Sequence, residues 1–284
     1  MRVFVIIFCC FFYSCLLWAE LPSGNTTITG DISITSTNAT TRTISLTGLV
    51  GTNYYVSTTG SNGNNGLSEA NAFETLDHAV DNVPANNIIN VGPGTFSADS
   101  DITINNSMII KGSGRDKTIF DGSSGSGGFI AITASNVTIQ DMTIQDYTDS
   151  GQYSGGAAIR IGTQRGTQST ESRYTGILLK NIKFYNNDAT HSEGYGGAIH
   201  MSVSSNASNT VADIEQCLFY DNYAEYLGGV LYMGDGNTAN ISNSVMVDNR
   251  AKYYGQAVYV SDVNASSDEV WLTINFCTIY TNPL

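Results

Sequence analysis

From Tyr54 onward, short runs of alternating apolar and polar residues are broken by Gly, Asn and Asp. Such runs lie at 54–56, 88–91, 102–104, 108–110, 118–120, 129–132 and 137–139. A period of two places neighbouring side chains on opposite faces, so each run predicts a short half-buried strand. The residues between them predict tight turns. Residues 21–52 alternate Thr, Ser and Ile and predict two or three more strands with one apolar face. One segment differs: Phe73, Leu76, Ala79, Val80 and Val83 recur at helical spacing and stop at Pro84. That pattern predicts a helix over 73–83, the single helix beyond residue 20.

The second half repeats a two-part phrase. A strand ends in a bulky residue with Asn three positions later: Phe184-Tyr185-Asn186-Asn187, Phe219-Tyr220-Asp221-Asn222, Met246-Val247-Asp248-Asn249 and Ile279-Tyr280-Thr281-Asn282. A Gly turn then opens another strand, at Gly155-Gly156, Gly196-Gly197, Gly228-Gly229 and Gly255-Gln256. The anchors Phe184, Phe219, Met246 and Ile279 lie 35, 27 and 33 residues apart. Self-similarity at tens of residues means stacked units whose loops absorb length changes. Aligned on the anchors, the inward columns read Met142/Ile182/Cys217/Ser244/Cys277 and Ile144/Phe184/Phe219/Met246/Ile279. The column between them, Thr143/Lys183/Leu218/Val245/Thr278, points outward. The expected fold is all-β: a right-handed parallel β-helix over 54–284, of about eight rungs, with a short N-terminal capping helix.

Two sets of residues carry a resemblance. Tyr54-Tyr55-Val56-Ser57, the Gly/Asn loop, the helix, 91–96 and 111–119 resemble the opening of right-handed parallel β-helix proteins of the pectin-lyase-like superfamily. In that superfamily a short helix plugs the N-terminal end. The Gly-Gly-Ala-Ile and Phe-X-X-Asn repeats resemble those of chlamydial polymorphic outer-membrane proteins, which are surface adhesins with β-helical passengers. The likeness implies adhesion or carbohydrate binding; the fold also hosts polysaccharide lyases and glycoside hydrolases, and a purely structural surface or matrix protein is the third reading. Gly255-Gln256 and Met246 depart from the repeat, and the C-terminal membrane barrel of the adhesins is missing.

The first residues change the setting. Arg2 precedes an apolar run from Val3 to Trp18, and Ala19 is a small residue at a cleavage position. Residues 1–19 read as a secretory signal peptide and 20–53 as an N-terminal β segment. The expectation is a secreted or cell-surface protein with no membrane span in the mature chain. A net charge of −13 without any basic run excludes nucleic acid and anionic membranes as partners. Cys217 and Cys277 share one inward column two rungs apart. Strands stack ~4.8 Å apart, so their Cα separation exceeds disulfide reach. Both are expected to be free thiols. The chain ends at Asn282-Pro283-Leu284 without a polar closing segment, which predicts an incomplete stack or end-to-end self-association.

Candidate chemistry follows from the columns. Asn187, Asn222, Asn249 and Asn282 fall at one turn, where Asn tolerates left-handed backbone and can bond its copy one rung away. They predict a structural Asn ladder. Tyr153, Tyr195, Tyr226 and Tyr254 stand just before the Gly turns, and Arg160, His200, Tyr232 and Tyr259 form an outward column after them. Flat, semi-polar rings on one face suit an extracellular glycan or a surface protein of a host or neighbouring cell. Packing between rungs is the competing role. A lyase would use Arg160, Arg173, Lys180 or Lys183 as base beside Asp141, Asp146 or Asp188. No Asp-Asp pair occurs and no dense acidic cluster sits beside a basic one, so no catalytic residue is assigned. His78, His191 and His200 are too scattered for zinc. Asp235-Gly236-Asn237 and Asp262-Val263-Asn264 offer oxygen ligands for calcium, but calcium-loop patterns are missing, and no cofactor or metal is expected.

Overall fold

A computed structural model describes residues 5–7, 15–17, 51–97, 101–123, 127–151, 155–162, 173–201, 210–234, 236–261 and 270–281. The chain divides into a unit spanning Met1–Gly51 and one spanning Thr52–Leu284. In the first, Val5–Ile7 pairs antiparallel with Cys15–Leu17. The expected strands between 20 and 50 lie outside the described residues. Among the described residues no helix is long and apolar enough to cross a membrane.

The second unit is a parallel β-helix. Strands recur once per rung, and among the described residues the strands of this unit pair in parallel, with one isolated antiparallel bridge between Gly127 and Thr148. The longest stack runs from Asn53–Val56 through Asn87–Val91, Met108–Lys111, Val137–Gln145, Ile177–Tyr185, Val211–Glu215 and Thr238–Ser242 to Trp271–Asn275. These are the eight rungs that the repeat length implies. A second stack holds Gly94–Phe96, Thr118–Asp121, the far halves of Val137–Gln145 and Ile177–Tyr185, Leu218–Tyr220, Val245–Val247 and Thr278–Tyr280. A short four-stranded sheet holds Thr148–Asp149, Asp188–Ala189, Tyr223–Ala224 and Arg250–Ala251. Six strands from Ile102–Ile104 to Val258–Val260 form the last stack.

Period 2 fixes this register. Ile144, Phe184, Phe219, Met246 and Ile279 are successive partners, with Lys183, Leu218, Val245 and Thr278 paired beside them on the outer side. Inside, Phe184 and Phe219 stack with centroids 4.8 Å apart, and Phe96, Phe120, Phe129 and Tyr147 form a second interior pile. Like residues one rung away offer ring faces at stacking distance, because the parallel register sets each ring above its counterpart.

Two columns of left-handed backbone bend the rungs from Val137–Gln145 onward. Asp141, Asn181, Gln216, Asn243 and Phe276 have φ between 49° and 62°, as do Asp146, Asn186, Asp221 and Asp248. The sequence reading placed the left-handed residue at Asn187, Asn222 and Asn249. The structure puts it one position earlier, because the ladder Asn must turn its amide inward.

The helix is shorter than its apolar spacing suggested. It spans Leu76–Asn82, with Thr75 capping it through a bond from the His78 amide at 3.3 Å. Phe73 instead bridges Val56 as an extended residue. Val83 ends the helix, since the residue before Pro84 is pushed out of helical geometry. Leu76, Ala79 and Val80 are buried, and the helix packs on Asn53–Val56 and Ile102–Ile104.

Cys217 and Cys277 are both free. Val245 N–H bonds the Cys217 carbonyl and Thr278 N–H bonds the Ser244 carbonyl, so the rung of Ser244 lies between theirs and the two Cys stand two rungs apart. Burial pushes the Cys217 thiol up to about 12. Thiol titration of the unreduced, denatured protein should count two thiols. In the native protein at mildly alkaline pH, partly exposed Cys277 should react while Cys217 stays inert. A single thiol after denaturation, or none, would contradict the register.

At the C-terminal side, Trp271–Asn275 and Thr278–Tyr280 form the outermost strands of their stacks, and Trp271, Phe276, Ile279 and Tyr280 are exposed. Asn282 and Pro283 lie outside the described residues.

Candidate functional site

The Gly turns shape the first candidate face. Gly156, Gly196, Gly228 and Gly255 have φ between 64° and 72°, which only Gly adopts without strain. The following Gly229 admits no Cβ: one would lie 2.2 Å from the Gln256 carbonyl oxygen. These turns stack as Gly155, Tyr195, Leu227 and Tyr254, joined by parallel bridges. They fold the turn residues back over the next strand.

That fold-back changes the expected aromatic face. Arg160, His200, Tyr232 and Tyr259 form one outward column, as the register predicts. The column is covered, however. Tyr195, Leu227 and Tyr232 make a second small core, with Tyr226 and Tyr259 against it. His200 is 1%, Tyr232 4% and Tyr195 6% exposed. The Tyr195 ring lies 4.5 Å from Tyr232, and Tyr232 stacks on Tyr259 at 5.9 Å. These three side chains do not face solvent. Arg160 heads the column, half-buried, and its charge draws on Asp149, whose carboxyl is pushed above its ordinary value chiefly by burial. Tyr153 lies outside the described residues.

The proposed bases and acids also separate. Lys180 pairs with Glu215 at 3.2 Å, and Lys183 sits over the Tyr185 ring at 4.9 Å. Asp141 and Asp146 each accept a bond from the Asn one rung on, Asn181 and Asn186, at 2.6 Å. These are rung-to-rung contacts on the sheet and its bends. Asp188 is the exception.

Asp188 sits on the outer face of the short sheet, in register with Thr148 before it, Tyr223 after it, and Arg250 one rung further. Around it the sheet collects a ridge of charge. The Tyr223 hydroxyl donates to Glu225 Oε2 at 2.7 Å, and Lys252 Nζ donates to Glu225 Oε1. Arg250 bonds Asp221 at 3.3 Å. Among the described residues no donor meets the buried Oδ1 of Asp188. Burial, reinforced by the Glu225 carboxylate and opposed by Arg250, pushes its carboxyl up to about 6. Glu225 moves the other way: the Lys252 and Tyr223 donors hold it below its ordinary value. The Tyr223 hydroxyl is pushed up to about 12, first by burial and then by its bond to Glu225.

Exposed rings border this ridge. Tyr253 follows Lys252 and is 52% exposed; Tyr254 is 68% exposed. Tyr226 meets Tyr253 edge-on at 5.2 Å, and Lys252 Nζ lies 5.7 Å from the Tyr253 centroid. The ridge therefore combines two open ring faces, two carboxylates of opposite tendency and two cations. Of the expected binding residues it includes Tyr226 and Tyr254. It adds Asp188, Tyr223, Glu225, Arg250, Lys252 and Tyr253. The signal available in the sequence was the column Asp188/Tyr223/Arg250, whose residues differ at every rung while the inward Ala189/Ala224/Ala251 beside it stay the same. Among the described residues no cluster of three or more His, Cys, Asp or Glu is placed to hold a metal.

No family model matches the chain, and no curated protein does. Solved structures with a similar backbone include a rhamnogalacturonan lyase, 13% identical over 78% of this chain and 87% of that one, with a TM-score of 0.33. A pectin methylesterase from carrot is 14% identical over 81% and 83%, with a TM-score of 0.35. A GH136 lacto-N-biosidase from Eubacterium ramulus is 8% identical over 81% and 68%, with a TM-score of 0.33.

Proposed function

We propose that this chain is a secreted or surface-displayed β-helix that binds an extracellular glycan along the ridge from Asp188 to Tyr254. The observation that carries this reading is the exposure of Tyr253 and Tyr254 beside Glu225 and Lys252. Ring faces stack on the apolar faces of sugars, while carboxylates and cations bond hydroxyls in fixed directions. The apolar stretch from Val3 to Trp18 supports export, and the repeat residues support a surface role. The surface adhesion implied by the repeats rests on those residues alone. An array of neutral and acidic oligosaccharides, probed with the parent and with a Tyr253→Ala/Tyr254→Ala variant, tests the reading. Each ring is worth about 0.5–1.5 kcal/mol, so the double variant should lose about fivefold to a hundredfold in affinity. A parent that captures no glycan, or a variant that binds equally, overturns it.

A second reading has its own observation. Two carboxylates whose environments drive their proton affinities apart are what glycoside hydrolysis uses, with Asp188 as proton donor and Glu225 as the ionised partner. Release of reducing ends by the parent and its loss in Asp188→Asn would favour catalysis over binding alone.

A further inference from the structure

The ridge holds two carboxylates that are not equivalent. Glu225 has a donor on each oxygen, Tyr223 on one and Lys252 on the other. Asp188 has a buried Oδ1 that no described donor reaches. When one proton is shared out between them, Asp188 takes it, because a buried acceptor without a donor gains most from becoming neutral. The charged groups around it are Glu225, Arg250, Asp221 and Lys252, with Asp146 at the bend one rung before and Asp248 at the bend two rungs after; Tyr223 and Thr148 are its uncharged neighbours in register.

We propose that Asp188 is a proton-operated latch on the short sheet. With its proton, it leaves Glu225 to Lys252 and Arg250 to Asp221, and the rung of Tyr223 stays clamped to the rung of Arg250. Without its proton, it repels Glu225 and competes with Asp221 for Arg250, and the clamp loosens. Acidification then tightens the ridge. As a control on glycan binding the latch rests on the function proposed above, but its operation can be measured without any ligand.

The sign follows from linkage. The folded carboxyl titrates near 6 and the unfolded one near 3.8, so its stabilising contribution is complete below the lower value and fades as pH rises through the upper one. Between about pH 5 and about pH 7.5 the ceiling on this effect is roughly tenfold in the local opening equilibrium.

Amide exchange reads it directly. The N–H groups of Thr190, Glu225 and Lys252 bond the carbonyls of Asp149, Ala189 and Ala224 and so report opening between these rungs. After correction for intrinsic rates, their protection should be several-fold higher at the lower pH in the parent. In Asp188→Asn it should be high at both. Equal protection at both pH values in the parent, or a persisting difference in Asp188→Asn, overturns the latch. Should that variant not fold, Glu225→Gln gives the same decision. Removing the like charge must move the parent's transition to lower pH, and an unmoved transition overturns the proposal. The Tyr253→Ala/Tyr254→Ala variant should keep the full pH dependence, so a failure of glycan binding and a failure of the latch are told apart.

Discussion

Replacing Leu76 by Asp should strip the first rung of its cover and cost on the order of 3 kcal/mol or more. Leu76 is fully buried, and Phe73, Ala79, Val80 and Val83 beside it are buried too. The helix lies on Asn53–Val56 and Ile102–Ile104, which place inward apolar residues such as Val56, Ile102 and Ile104 under it. A carboxylate there has no cation to meet and no water to reach, and it must either ionise at high cost or stay protonated. The exposed neighbour Glu74 supplies the control, since a surface change of Glu74→Ala should stay within about 0.5 kcal/mol. In a stacked repeat the damage is also local. Amide protection should fall in Asn53–Val56 and Asn87–Val91 while Leu218–Tyr220 keeps its own. A Leu76→Asp protein with the parent's denaturation midpoint and intact exchange at the first two rungs would show that the helix is not a cover.

The fold was legible because a coil of parallel strands needs little more than period 2 and a turn signal. The column from Ile144 to Ile279 could be read from spacing, since loops of unequal length leave the strand register untouched. Errors of one residue arose where two chemistries share a turn. Asn186 and Asn187 are both Asn, yet one bends the backbone and the other supplies the amide, and only Asp221-Asn222 and Asp248-Asn249 separate the roles. The aromatic column was placed in the right register and given too open a surface. A Gly turn that doubles back over His200 and Tyr232 is a tertiary fact, set by how closely Gly155 packs on the imidazole. The charged ridge was the least legible part. Asp188, Glu225 and Lys252 come from three rungs: Glu225 and Lys252 share one position after the inward Ala, while Asp188 stands two residues before that position. They meet only because the rungs stack, and a search for similar residues in one column passes over them.

The Asn ladder is where the second large effect is expected: Asn222→Leu should cost on the order of 4 kcal/mol although it creates no cavity. Asn222 is fully buried and stands between two copies of itself. Its Oδ1 accepts from Asn187 Nδ2 at 3.0 Å and from the Asn187 backbone amide at 3.2 Å. Its Nδ2 donates to Asn249 Oδ1 at 2.9 Å and to the Phe184 carbonyl at 3.1 Å. Nδ2 also donates to the Tyr220 carbonyl at 3.3 Å, and leucine, which fills similar space, removes all five bonds. Asn187 Nδ2 keeps the Ile144 carbonyl, and Asn249 Oδ1 keeps the Asn222 backbone amide. The Asn187 amide loses this partner inside the coil, an orphan that costs about 1–3 kcal/mol, and the Phe184 carbonyl gives up one donor. Position makes it worse: this break falls mid-stack, so it weakens the interfaces of two neighbouring rungs at once. Asn222→Asp separates hydrogen bonding from shape. A buried Asp with no cation has its proton affinity raised above the unfolded value. The variant's deficit should therefore be smallest in acid, where the carboxyl keeps a proton to donate, and should grow as pH rises through the folded value. The Leu variant has nothing to titrate at this position, so its deficit relative to the parent should be flat across the same range. Denaturation midpoints of parent, Leu and Asp proteins at about pH 4 and about pH 8 give the comparison. A Leu protein within about 1 kcal/mol of the parent would mean that the ladder's bonds are replaced by others once it is cut, and that the coil is held in register by its apolar columns alone.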